Sequence, residues 1–150
     1  MASEILEKLF SLKGRTALVT GGYKGIGRSM AETYAEAGAD VAVVARNLMG
    51  CQEAAREIAG KYGVKAVGKS LDVNDSKRVD RVVQEIVGEL GRIDILVNSA
   101  GIPGSEKPVL KMTDADIDEV MNVDFRGTFL VSRAVAQVMV RQKGGKIINV

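Results

Sequence analysis

The sequence predicts an α/β chain, a doubly wound parallel sheet of five strands with four main helices. Three observations predict it. Short β-rich runs alternate with longer segments of helical period. Several of those runs are apolar throughout, the pattern of strands covered on both faces. Gly38, Gly63 and Gly91 follow three of the helical segments, where a left-handed residue ends a helix.

Residues 1–13 read as an N-terminal extension. Their apolar cluster, Ile5, Leu6, Leu9 and Phe10, has helical spacing broken by charge, so it does not read as a signal peptide. The first strand is Thr16–Thr20. It runs into Thr20-Gly21-Gly22-Tyr23-Lys24-Gly25-Ile26-Gly27, which opens a helix over Gly25–Ala37. A strand, a glycine turn and a helix start gather backbone N–H groups and the positive end of a helix dipole at one point, a site for a pyrophosphate. A Cβ there would hold phosphates off the backbone. Gly21, Tyr23, Lys24, Gly25, Ile26 and Gly27 are therefore candidate cofactor contacts. The spacing is G-x-x-x-G-x-G rather than G-x-G-x-x-G, and such a turn can also be only a turn.

The second strand, Val41–Ala45, ends at Arg46 and Asn47. An acidic residue about 20 positions past the turn would bind a ribose 2′-OH. Ala45 and Arg46 stand there instead, and Asp40 lies at the wrong end of the strand. Arg46 offers a fork of donors to a phosphate, with Lys24 able to approach from the turn. That favours NADP(H), with NAD(H) second. The alternative is two solvated cations, with Asn47 the N-cap of the helix Leu48–Lys61.

Beyond the third strand, Val64–Lys69, Asp72-Val73 could receive an adenine amine or simply turn the chain into the helix Asp75–Leu90. That helix carries Val79, Val82, Val83, Ile86, Val87 and Leu90 on one stripe. The fourth strand, Ile93–Val97, leads to Asn98-Ser99-Ala100-Gly101, small residues that let a flat ligand approach, with Asn98 able to brace backbone. Thr113 to Asp116 has capping-box spacing for a long helix, Asp114–Gln142. Asn122 is its odd residue, either facing solvent or held near the crevice. Lys146–Val150 is the fifth strand.

The 150 residues suffice for one domain, read as a dinucleotide-binding domain. A net charge of +2 without a long basic block, and three Phe, three Tyr and no Trp, argue against nucleic-acid and membrane surfaces. No histidine and one cysteine, Cys51, exclude a Ser-His-Asp triad, a metal site built on them and an internal disulfide. No stretch is long enough to span a membrane, and a cytoplasmic protein is expected.

Together these motifs resemble the short-chain dehydrogenase/reductase family. Its T-G-x-x-x-G-I-G is matched by Thr20 to Gly27, its Asp-Val by Asp72-Val73, and its N-N-A-G by Asn98 to Gly101 with Ser99 for the second Asn. The Asn of its catalytic tetrad is matched by Asn122. The resemblance covers Gly14 to Val150 and implies a Rossmann-type fold, hydride transfer between a nicotinamide cofactor and an alcohol or carbonyl substrate, and no metal. It further implies a homo-oligomer when full length. The family's Ser and Y-x-x-x-K fall beyond Val150, and none of Tyr23, Tyr34 and Tyr62 has Lys four residues on. A truncated, catalytically inactive front part is thus expected. The alternatives are a nucleotide-binding or an interaction module complete at 150 residues. The wording is similar to the gluconate 5-dehydrogenase-like branch, which suggests a sugar acid or polyol, with a 3-oxoacyl thioester as the other candidate.

Overall fold

A computed structural model describes residues 9–150 of the chain. Five parallel strands, β1 (Thr16–Thr20), β2 (Asp40–Ala45), β3 (Ala66–Ser70), β4 (Ile95–Asn98) and β5 (Lys146–Asn149), form one sheet in the order β3-β2-β1-β4-β5. The chain winds outward from β1 in both directions, as expected for a doubly wound sheet. Its reversal between β1 and β4 opens the crevice at the strands' carboxyl ends. The registers Thr20↔Val44 and Thr20↔Asn98 align those three ends side by side.

Alternation along the apolar strands feeds two cores. Ala17, Val19, Val41, Val43, Ile95 and Val97 face α1 (Gly25–Glu36) and α2 (Leu48–Tyr62). Leu18, Ala42, Val44 and Leu96 face α3 (Ser76–Leu90) and α5 (Thr128–Arg141). The stripe expected on α3 holds: Val79, Val82, Val83 and Ile86 are buried, with Val87 and Leu90 packed at the margin. On the first face the helices come close because small residues line them, Gly27, Ala31 and Ala35 on α1 and Cys51, Ala54 and Ala55 on α2. Gly68 of β3 has no room for a side chain, since a Cβ there would run into the Cys51 and Gln52 backbone. The Cys51 thiol is buried, and burial pushes its pKa up to about 11, against the fall that a helix start could have produced.

The long helix expected over Asp114–Gln142 is not one α-helix. α4 (Asp114–Val120) carries the expected capping box, in which Thr113 and Asp116 satisfy each other's backbone. A π-helical stretch, Met121–Gly127, then separates it from α5. Asn122, Asp124 and Gly127 are poor or indifferent helix formers, so the segment yields to tertiary contacts. Gly127 meets Val73 where a Cβ would overlap it. Strands β3 and β4 begin two residues later than expected. Asp40 accepts the Lys65 N–H (2.8 Å), and the Gln142 side-chain amide pairs with Ile93 N–H (3.1 Å) and C=O (2.9 Å) in place of a strand.

Of the N-terminal cluster, Ile5 and Leu6 lie outside the described residues. Leu9 and Phe10 are exposed, and Leu12 packs against the α1–α2 core. Among the described residues no helix is long and apolar enough to cross a membrane.

Candidate functional site

A cleft of about 700 Å³ lies at the carboxyl ends of β1 to β4. Its floor is the β1–α1 turn, where Gly21, Tyr23, Lys24, Gly25, Ile26 and Gly27 line it. One wall comes from β2 and β3, with Arg46, Asn47, Asp72 and Val73. The other is the loop after β4, with Ala100 and Gly101. Twelve of the thirteen positions expected from sequence to contact a cofactor thus meet in one cavity, from turns separated along the chain. The volume lies within the range of small-molecule sites, about 300–1,000 Å³.

The floor is built by glycine. Gly21 has a φ of +65°, and a Cβ on it would lie 2.8 Å from the Ser99 carbonyl oxygen. A Cβ on Gly27 would lie 2.6 Å from the Gly21 carbonyl oxygen, so the helix start presses directly on the turn. The first turn of α1 consequently presents N–H groups, left without intrahelical partners, to the cleft. Thr20, which sequence reasoning placed at the head of the glycine turn without giving its side chain a role, is buried and locks this geometry. Its hydroxyl accepts the Ser99 N–H (3.1 Å) and the Ala100 N–H (3.0 Å), joining floor to wall.

Asn47 and Asp72 each combine a turn role with a place on the cleft. Asn47 caps α2 by accepting the Gly50 N–H at 3.0 Å. Asp72 accepts the Asn74 N–H at 2.9 Å through Oδ1, which ties its carboxylate to the turn at the cleft edge. The helix start itself falls to Asp75, which accepts the Arg78 N–H. Lys24 and Arg46 are both exposed on the cleft. Among the described residues no carboxylate pairs with either, so the cleft rim is positive where β1 and β2 end.

Asn98 is the exception among the thirteen. It is the last residue of β4, is 3% exposed, and lies beneath the cleft rather than on it. Its amide donates to Ser132 Oγ and Asn149 Oδ1, both at 2.9 Å, so it braces β4 against α5 and β5. Oδ1 of Asn98 is buried without a partner among the described residues. Asn122 faces solvent and does not line the cleft, although its neighbour Val123 does. Asp124, which does not line the cleft either, supports its wall from outside: its Oδ1 accepts the Ile102 N–H at 3.0 Å beside Gly101. The oddity that singled out Asn122, a polar residue in an apolar-patterned helix, applies equally to Asp124 two residues on. Arg126 closes the other side by donating to the Asn74 carbonyl (2.9 Å). Among the described residues no cluster of acidic and thiol groups could hold a metal.

The donor set suits a phosphorylated dinucleotide. N–H groups and a helix start lie at its centre, cations on one flank, and a flat small-residue wall on the other. The sequence profile of the short chain dehydrogenases matches residues 15–150. A 3-oxoacyl-[acyl-carrier-protein] reductase of Aquifex aeolicus is 40% identical over 93% of this chain and 56% of its own. A 2-dehydro-3-deoxy-D-gluconate 5-dehydrogenase of Formosa agariphila is 40% identical over 95% and 53%. The solved structure of an NAD+-bound xylitol dehydrogenase superposes with a TM-score of 0.87 at 32% identity, covering 91% of this chain and 52% of that one. The chain spans about half the length of the curated relatives it matches. With the fold, the cleft and the profile in agreement, the chain belongs to the short chain dehydrogenase family.

Proposed function

We propose that this chain supplies the coenzyme-binding part of an NADP(H)-dependent oxidoreductase acting on an alcohol or carbonyl substrate. The observation that carries this reading is the meeting of three turns, Gly21–Gly27, Arg46–Asn47 and Asp72–Val73, on one cleft. When bound, the coenzyme supplies the hydride chemistry. The chain's own residues bind and orient. N–H groups at the start of α1 hold the pyrophosphate, Asp72 and Val73 face the adenine, and Ala100 and Gly101 leave room for a planar ring. Arg46 and Lys24 select a 2′-phosphate, since a charge-assisted hydrogen bond contributes about 1.5–3 kcal/mol and water screens part of it at this exposed rim. The names of the relatives point to sugar acids and polyols, with a 3-oxoacyl thioester as the second substrate class. Asn98 acts from below by fixing β4. Asn122, exposed beside the cleft-lining Val123, keeps its place as the candidate catalytic residue, and Asp124 holds the wall.

Titration of the purified protein with NADPH and NADH, followed by coenzyme fluorescence, tests the reading. NADPH should bind about ten- to a hundredfold more tightly, and Arg46→Ala should remove most of that difference while leaving NADH affinity unchanged. Failure to bind either coenzyme would refute it. Residues 1–150 contain no Tyr followed four positions later by Lys, the pair that would exchange the substrate proton in the family this chain resembles. We therefore expect these residues alone to bind coenzyme without oxidising NADPH in the presence of sugar-acid or ketone substrates. Steady turnover in a spectrophotometric assay would overturn that expectation. Exposed Phe125, Phe129 and Val140 on the π-helical stretch and α5 fit association of copies of the protein through this side, which sedimentation would register.

A further inference from the structure

The β1–α1 and β2–α2 turns, which carry Lys24 and Arg46, touch through one aromatic ring. Tyr23 lies half-buried across the first turn of α2. It can do so because position 50 is glycine: a Cβ on Gly50 would lie 2.7 Å from Tyr23 Cδ2 and 3.1 Å from Cε2. Over the same ring stands the Lys24 ammonium, 5.4 Å from the centroid. The ring face is negative, so it draws a flexible four-carbon cation toward one position. Asn47, the cap of α2, lies against the same spot, 3.2 Å from where the Gly50 Cβ would be.

We infer that Tyr23 is a specificity-positioning residue. Seated on the bare Gly50 turn, its ring holds Lys24 beside Arg46 so that the two cations address one phosphate. The inference rests on the coenzyme reading above and deepens it. Lys24 and Arg46 arise from different strands, and nothing in either turn alone would fix their relation. A lysine free to sample solvent loses rotamer entropy when it captures an anion, and a lysine already drawn over a ring loses less. Packing alone does not account for the arrangement, because an aliphatic side chain would fill the same space without attracting an ammonium.

The test is the ratio of NADPH to NADH affinity, measured by titration of the wild type, Tyr23→Phe, Tyr23→Leu and Gly50→Ala, each checked by circular dichroism. Tyr23→Phe keeps the ring and should keep the ratio. Tyr23→Leu keeps apolar bulk without a π face, and Gly50→Ala displaces the ring from its seat; each should lower the ratio about three- to tenfold, mainly by weakening NADPH. A ratio unchanged in Tyr23→Leu while the wild type prefers NADPH would overturn this inference and leave the coenzyme reading standing. Equal loss of both coenzymes would also overturn it, showing Tyr23 to be packing only. Wild-type protein that binds neither coenzyme would instead bring down the reading on which the inference rests.

Discussion

Gly21→Ala should lower coenzyme affinity by about a hundredfold or more, equivalent to ~2.7 kcal/mol, the loss of one or two charge-assisted hydrogen bonds. Two independent effects act at this position. The backbone has a φ of +65°, a conformation that costs a residue with a Cβ about 1–2 kcal/mol. The added methyl would also stand 2.8 Å from the Ser99 carbonyl oxygen and 3.2 Å from Ala100 Cα. Both are backbone atoms, so no rotamer change relieves the overlap; floor and wall must part. Parting them strains the Thr20 hydroxyl contacts to Ser99 and Ala100 and moves the N–H groups of α1 relative to the wall. Gly60→Ala serves as the control. Gly60 lies within α2 with nothing within 4 Å of a Cβ, so alanine there should raise stability by about 0.5–1 kcal/mol through helix propensity. Titration of both variants beside thermal melts separates loss of the site from loss of the fold.

The second large effect should appear at the opposite end of the sheet. Asp94, 6% exposed, accepts the Thr16 N–H (3.0 Å), Arg15 (2.9 Å) and both Arg92 Nε (2.7 Å) and NH2 (2.6 Å). Its backbone meanwhile joins β1 to β5, donating to the Thr16 C=O and accepting from the Lys146 N–H. Asp94→Ala strands the buried Thr16 N–H and removes the partner of two solvent-exposed guanidinium groups, and should cost about 1–3 kcal/mol, seen as a melting temperature lower by roughly 2–12 °C. Coenzyme affinity should hardly change, because the cleft lies at the other ends of these strands. Burial by itself would raise the Asp94 pKa, but hydrogen bonds from Arg92, Thr16 and Arg15 outweigh it and hold the carboxyl below its ordinary value. A pKa lower in the folded state means that protonation favours unfolding. The contribution is present above the unfolded value, about 3.9, and is lost as pH falls from there through the folded value. Melts of wild type between pH 3 and 7 should therefore show an acid limb that is shallower in Asp94→Ala. Equal slopes would refute this assignment.

Several features were legible in the residues alone because they depend on local chemistry. Alternating periods of two and 3.6 gave the order of strands and helices. Gly38, Gly63 and Gly91 do take positive φ, at 95°, 68° and 85°. The Thr113–Asp116 cap closes as its spacing implied. The glycine turn, Arg46 and Asp72 could be singled out because each lies at or just past the end of a strand, and parallel winding places all such positions at one sheet edge.

Other features required the folded chain. Nothing local distinguishes Asn122 from Asp124; only the approach of the Gly101–Ile102 loop makes Asp124 the acceptor and leaves Asn122 in solvent. The π-helical stretch ends at Gly127, where a side chain would overlap Val73, a contact across more than fifty residues of sequence. Asn98 looked like a loop residue at the ligand, yet Ser132 and Asn149 draw it beneath the sheet edge. Gly50 carries no signal of its own until Tyr23 lies on it. The sequence by itself determined which groups reach the crevice edge, since strand ends are set by hydrophobic pattern and turn chemistry. Tertiary structure decided which of them face the cleft and which face each other, since those choices turn on single methyl groups and hydrogen bonds between distant segments, for which linear spacing holds no record.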